Sequence, residues 1–277
     1  MDRDGVRPTL VARLLTLALF AAVWTGFGLA AEAASFLPHR AIYGLTLAKE
    51  KHAMGVTSAR GKLEFEWKDV CDGWSVRQRT RIIVTHADGS EVDFGWKLNA
   101  WESKDGLRYR FFIRREYADG ESEEVRGAAR LDGPGEGGEA TYELPAERSV
   151  RLPRGTIFPT QHSLVVLDAL ETESVPLWRV VFDGSGEEGL FGINAVMAQS
   201  LPPEAETSLE SPLIDDQPSW RLLVAYFGME AEATEPQYEQ AMRIFANGVV
   251  DELLLDYGDF TLDASLADLT ALPAPGC

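Results

Sequence analysis

The heptapeptide Lys62-Leu63-Glu64-Phe65-Glu66-Trp67-Lys68 puts an apolar side chain at every second position and a charge at each position between. A period of two belongs to a strand with one face in a core and the other in water. Downstream, Trp74, Val76, Gln78, Thr80, Ile82 and Val84 share one side of a run whose other side carries Arg77, Arg79 and Arg81. Phe94, Trp96, Leu98 and Ala100 form the next stripe. Tyr109, Phe111 and Ile113 then alternate with Arg108, Arg110, Phe112 and Arg114. The separators Ala87-Asp88-Gly89-Ser90, Lys104-Asp105-Gly106 and Ala118-Asp119-Gly120 are turn chemistry. Residues 36–157 therefore read as strands of an antiparallel meander, not as βαβ units. Some faces are mixed: Gln78 and Thr80 have apolar neighbours, and Trp101 falls on a polar face. Such faces suit either a partly wet cavity or ordinary strand ends and edges, and we read them as the latter.

Farther along, residues 132–140 are rich in glycine. They lack the lysine and the strand-then-helix setting of a phosphate cradle, so they read as a hairpin connection. One helix is expected, from Thr160 to about Thr172, capped by Thr160 behind Pro159. Val166, Leu167 and Leu170, with Leu164 nearby, give it an apolar stripe. It would cover a sheet face or plug a barrel mouth. Strands resume at Leu177–Phe182 and Leu190–Gln199, and the polar stretch Pro202–Pro218 reads as a surface loop or a flexible lid. Trp220, Leu222, Val224 and Tyr226 alternate again. Tyr238–Ala246, Asn247-Gly248 and Val249–Tyr257 spell a hairpin with a type I′ turn. Phe260 and Leu262 extend the pattern, while Leu266, Leu269 and Leu272 suggest a short terminal turn of helix.

The chain has 277 residues, 45% of them hydrophobic, enough to bury a core in one large all-β domain or two smaller ones. Its 26 Lys and Arg against 44 Asp and Glu give a net charge of −18. That charge disfavours nucleic acid and electrostatic docking on anionic lipid. The charge is unevenly spread. Residues 34–130 hold 17 basic and 15 acidic side chains, and residues 131–277 hold 6 and 26. The acidic half either keeps the protein in solution or presents a complementary surface to a basic partner.

Arg3, Arg7 and Arg13 flank the start of an apolar run, Leu14 to Ala30, followed by Ala31-Glu32-Ala33. A basic end, an apolar middle and small residues spell a secretory signal, residues 1–33, cleaved after Ala33. A retained membrane anchor is the alternative, and the A-x-A site disfavours it. Residues 34–277 would then form a single exported domain, not membrane-spanning after cleavage. Export gives meaning to the two cysteines, Cys71 and Cys277. In an oxidising compartment an even count favours a disulfide; two buried free thiols or an intermolecular bond are the alternatives. Cys277 ends a tail, residues 271–276, with little apolar periodicity, which frays unless tied down.

Signals for catalysis are weak. Two cysteines exclude a four-thiolate zinc site, and their spacing is not a C-x-x-C redox motif. His39, His52, His86 and His162 show no H-x-x-x-H spacing, and no G-x-S-x-G occurs. His162 is expected to pack or to hydrogen-bond near the start of the helix. Asp183-Gly184-Ser185-Gly186-Glu187 begins like a calcium loop, but Asn194 stands where an EF-hand needs glutamate. No catalytic residue, cofactor or metal is therefore assigned.

Three stretches, taken in order with a terminal cysteine, have a family likeness: Asp69-Val70-Cys71-Asp72-Gly73-Trp74, then residues 152–162, Leu-Pro-Arg-Gly-Thr-Ile-Phe-Pro-Thr-Gln-His, then Asp256-Tyr257-Gly258-Asp259-Phe260. Over essentially the whole exported chain the sequence resembles the envelope integrity protein B (EipB) family of alphaproteobacteria. The resemblance implies a mainly β fold: a single antiparallel β-spiral, a strongly bent, open-barrel-like sheet with one or two packed helices, loosely similar to the LolA and LolB carriers. It also implies a periplasmic location, one disulfide (Cys71 with Cys277), a non-enzymatic role in cell envelope integrity, and a periplasmic tetratricopeptide-repeat protein as partner. By fold analogy the concave face would hold a lipid, lipoprotein or peptide. The alternatives are a scaffold acting through its acidic surface and, less favoured, an envelope hydrolase.

Overall fold

Alternation of apolar and polar residues produces, among the described residues, fifteen strands that join one sheet. In a computed structural model of the chain, the residues described are 36–50, 55–186, 188–229, 234–256 and 260–277. The expected signal segment, His52, Glu187 and residues 257–259 lie outside them. The strands are β1 (His39–Glu50), β2 (Val56–Asp69), β3 (Gly73–His86), β4 (Glu91–Ser103), β5 (Arg108–Glu116), β6 (Ser122–Leu131), β7 (Gly138–Leu144), β8 (Arg148–Leu152) and β9 (Thr156–Ile157). Helix α1 (Pro159–Glu171) follows. Then come β10 (Leu177–Phe182), β11 (Leu190–Leu201), β12 (Ser219–Gly228), β13 (Tyr238–Phe245), β14 (Val250–Asp256) and β15 (Phe260–Ala271).

The sheet order is β8-β7-β6-β5-β4-β3-β2-β1-β15-β14-β13-β12-β11-β10-β9. Every neighbouring pair is antiparallel except β9 and β10. The first strand pairs with the last, Leu45 opposite Ala264, which joins two meanders into one ribbon. The ribbon's two edges, β8 and β9, are separated in sequence only by Pro153, Arg154 and Gly155, so the sheet comes nearly full circle. The β10 end laps over the inner face of β5–β7. Phe182 packs edge-on to Phe111 at 5.7 Å and Tyr142 at 6.3 Å, and the Tyr109 hydroxyl donates to the Asp183 carbonyl at 3.3 Å. The fold is thus the mainly β, bent, barrel-like sheet expected from the sequence, with one helix among the described residues.

Three hairpins share one turn. At 86–90, 117–121 and 245–249 the first residue's carbonyl accepts from a glycine N–H three residues on, and its N–H donates to the carbonyl one residue farther. Gly89, Gly120 and Gly248 hold φ of +82°, +87° and +81°. Asp88, Asp119 and Asn247 each accept from the N–H two residues on. The Asn247-Gly248 turn is therefore not type I′, which needs positive φ at both central residues. It is the three-residue loop that ends in a left-handed glycine, and it leaves Asn247 free to donate to Leu213 carbonyl at 2.6 Å.

Helix α1 lies against the sheet. Val166, Leu167, Ala169 and Leu170 pack with Leu177, Val181, Ile193 and Leu222, covering the sheet face as expected. Thr160 is not its cap. The N-cap is Phe158, which is buried and makes no side-chain capping bond, and Pro159 starts the helix. The orphan N–H groups of Thr160 and Gln161 donate instead to the Glu102 carboxylate from β4, at 2.7 and 2.8 Å.

Two other expectations are corrected. Leu266 and Leu269 do not lie on a helix but on β15, between β1 and β14. A bulge inserts Ala267 between the pairs Tyr43–Leu266 and Ile42–Asp268, so two leucines three apart both turn inward. The stretch 202–218 is not a loose lid. Ile214 is fully buried among Leu45, Val249 and Leu262. Arg243, itself buried, donates to the Glu206 carbonyl and pairs with buried Asp251, whose carboxylate accepts from Ser208 N–H at 3.0 Å.

Candidate functional site

Residues from strands far apart in the sheet line a common interior void. One lobe, of about 600 Å³, is bounded by Trp74, Val76, Leu98 and Glu102 on β3–β4 and reaches Tyr226 and Tyr238 on β12–β13. The adjoining lobe, of about 520 Å³, is lined by apolar side chains that include Leu63, Phe65, Phe191, Met242, Leu253 and Leu255. Gln78, Trp96, Asp183, Ser185, Tyr226 and Tyr238 belong to both walls. A polar collar thus sits where the lobes meet. Gln78, which we read as part of a strand end or edge, lines the void, and its amide donates to the buried Thr80 hydroxyl at 3.4 Å.

Alternation also puts a carboxyl in the first lobe, beside the collar. On β4 the inward parity runs Phe94, Trp96, Leu98, Ala100 and then Glu102, so the pleat that builds the apolar wall carries one carboxyl inside. Burial pushes the Glu102 carboxyl up to about 7, against the two helix N–H groups that favour its charged form. Asp183 follows β10. Burial raises its pKa as well, opposed by the Ser185 N–H at 2.7 Å. Tyr226 is likewise pushed up by burial, and its oxygen accepts from Gln240 at 2.9 Å. Arg115 reaches the same lobe while donating to Glu123 at 3.0 Å. Composition could not single out Glu102 and Asp183 among 44 acidic residues, although the parity of Glu102 was readable.

The arrangement suits an amphipathic guest, with an apolar part in one lobe and polar groups at the collar. Among the described residues no hydrogen bond joins a serine of the void to a histidine: His39 lines the apolar lobe, but its Nδ1 lies 2.7 Å from the Leu37 carbonyl and not at Ser163 or Ser185. His162 is buried, does not line the void, and its Nε2 has no hydrogen-bond partner among the described residues. Burial lowers its pKa to about 4, helped by Arg179. The neighbouring Ser163 hydroxyl donates to the Pro159 carbonyl at 3.0 Å. No group of three or more metal-ligating side chains occurs among the described residues. Among them, too, no helix is long and apolar enough to cross a membrane.

Cys71 and Cys277 lie away from the void and are bonded, with Cα atoms 6.0 Å apart. Cys71 stands in the β2–β3 turn, where its N–H donates to Asp69, and the same carboxylate accepts from Lys104 at 2.7 Å.

The sequence profile of the EipB-like family matches residues 30–273. Over 259 residues, 89% of this chain and 89% of the relative, the sequence is 30% identical to the cell envelope integrity protein EipB of Brucella abortus strain 2308. Among solved structures, a beta-barrel-like protein of a domain of unknown function from Brucella abortus matches with a TM-score of 0.77. That match covers 86% of this chain and 99% of the other at 24% identity, and shows likeness of fold.

Proposed function

The chain belongs to the EipB-like family, and from that premise we propose that it is a non-enzymatic periplasmic protein that maintains the cell envelope by holding a lipid-like chain or a peptide inside its rolled sheet. On this reading residues 1–33 are the export signal and residues 34–277 the working domain. The observation that carries it is the two-lobed interior, apolar at one end and collared by Gln78, Asp183, Ser185 and Tyr226. The buried His162, whose Nε2 has no hydrogen-bond partner among the described residues, supports the non-enzymatic reading over a hydrolase.

Trp74 and Trp96 line the void and serve as reporters. Titrating a long-chain fatty acid or lysophospholipid should shift tryptophan emission to saturation, and Trp96→Phe should shrink the change. Absence of any saturable shift, or a shift equal in a Leu253→Arg variant that stays folded, counts against the reading. A second reading rests on the charge split, 6 basic against 26 acidic side chains in residues 131–277. There the acidic surface docks a protein partner, a periplasmic tetratricopeptide-repeat protein by the family resemblance. Such a complex should weaken as salt shortens the Debye length from about 10 Å at 0.1 M to about 3 Å at 1 M.

A further inference from the structure

On the outer surface, away from the apolar lobe, β5–β8 form a depression of about 910 Å³ lined by Arg108, Arg110, Arg130 and Arg151. All four arginines are exposed, and none forms an ion pair among the described residues. Their neighbours do: Arg114 pairs with Glu124, Arg115 with Glu123, Arg126 with Glu143 and Arg154 with Glu136. Arg108 stands directly opposite Arg130, a like-charge cross-strand pair that weakens a sheet. Glu139 is the cross-strand neighbour of both Arg130 and Arg151, yet pairs with neither. Arg108 and Arg110 lie over Trp101, 5.5 and 5.1 Å from its ring, which holds them beside the depression. A strand register that costs stability and leaves four guanidinium groups without a carboxylate partner among the described residues is what a built anion site looks like.

We propose that this depression binds a phosphate-bearing saccharide. Its cations are all arginine, the side chain whose planar fork grips phosphate through two bonds, although lysines stand elsewhere on the same half of the chain. Strands lie about 4.8 Å apart, so the row from β5 to β8 spans about 14 Å, more than one phosphate needs. Thr141, Ser149 and the carboxylates of Asp132 and Glu139 share the depression. The two carboxylates would repel a purely anionic guest, and with the two hydroxyls they suit the hydroxyl groups of a sugar. A net charge of −18 repels a flat anionic bilayer at long range, whereas one phosphosugar can enter the concave patch.

The test is calorimetric titration of the exported chain with a phosphorylated mannose oligosaccharide, its dephosphorylated form, hexaglutamate and phosphatidylglycerol vesicles. The phosphorylated sugar should bind and the dephosphorylated form should not. Arg130→Gln with Arg151→Gln should weaken binding about tenfold or more. Arg126→Gln, whose partner is Glu143, should change it by less than about twofold. Melting temperatures no lower than the parent's establish that the variants are folded. Absence of phosphate-dependent binding, or affinity unchanged in the arginine variants, overturns the proposal. So does hexaglutamate binding as tightly, which marks an acidic-peptide groove, or arginine-dependent vesicle binding, which marks a membrane surface.

Discussion

Glu102 and His162 are both buried, burial favours the neutral form of each, and their effects on stability have opposite signs. Glu102 has its pKa raised from 4.5 to about 7, so its stabilising protonation is fully present below about pH 4.5 and is lost as pH rises through 7. His162 has its pKa lowered from 6.5 to about 4, so its contribution is fully present above about pH 6.5 and is lost as pH falls through 4. Each shift corresponds to about 3 kcal/mol, so between about pH 4.5 and 6.5 the two slopes largely cancel. Asp183 adds to the first slope and His39 to the second, which makes the difference between variant and parent the informative quantity. Glu102→Gln should lose stability, relative to the parent, as pH falls from 7 to 4.5. His162→Leu should gain it as pH falls from 6.5 to 4. Urea midpoints measured from pH 4 to 8 check both, and variants that run parallel to the parent across that range would contradict them. Arg243 and Asp251 make a second residue-scale prediction. Asp251→Ala leaves the buried guanidinium only the Glu206 carbonyl and the longer contact to Glu252 at 3.6 Å, and should cost about 3 kcal/mol in denaturant titrations, while Arg243→Met with Asp251→Leu should cost much less.

Elements were legible where their cause is local. Asp88-Gly89 and Asp119-Gly120 read as turns because each aspartate accepts from the N–H two residues on, and each glycine takes the left-handed conformation within the same few residues. The stripes Leu63, Phe65, Trp67 and Tyr109, Phe111, Ile113 read as strands for the same reason. Misreadings occurred where a distant partner decides. The bulge at Ala267 imitates a helical spacing, and only the register with Tyr43 and Ile42 exposes it. Residues 202–218 look polar, yet Ile214 and the Glu206 carbonyl are held by groups on β13–β15 and the turn between β13 and β14. Proteolysis should therefore spare this segment in the native protein, and Ile214→Asp should expose it. Cleavage there in the parent at the rate of an unfolded chain would show it to be a free loop. Glu102 joins two elements, β4 and α1, and its inward parity, like that of Gln78 on β3, was a visible sign of a polar group in the wall.

Over the whole molecule, the bent, barrel-like sheet came from the family resemblance and not from alternation, because pairing β1 with β15 and lapping β10 over β5–β7 depend on contacts far apart in the chain. The Cys71–Cys277 bond spans 206 positions and ties the tail to the β2–β3 turn. Chain-entropy arithmetic bounds its worth at about 5 kcal/mol, acting mostly on the unfolded state. Cys71→Ser and Cys277→Ser should each stay folded with the same lowered melting temperature as the double variant, since one bond is lost in every case. Two free thiols in the denatured, unreduced parent would remove the premise. The rolled sheet bounds a void lined from opposite walls, and on the proposed reading an occupant of that void defines the protein's work. Native mass spectrometry of the protein, extracted from its own cells without detergent, tests that most directly. A discrete mass excess, released by organic solvent and lost in a folded Leu253→Arg variant, is the predicted result; a spectrum at the bare polypeptide mass would contradict it.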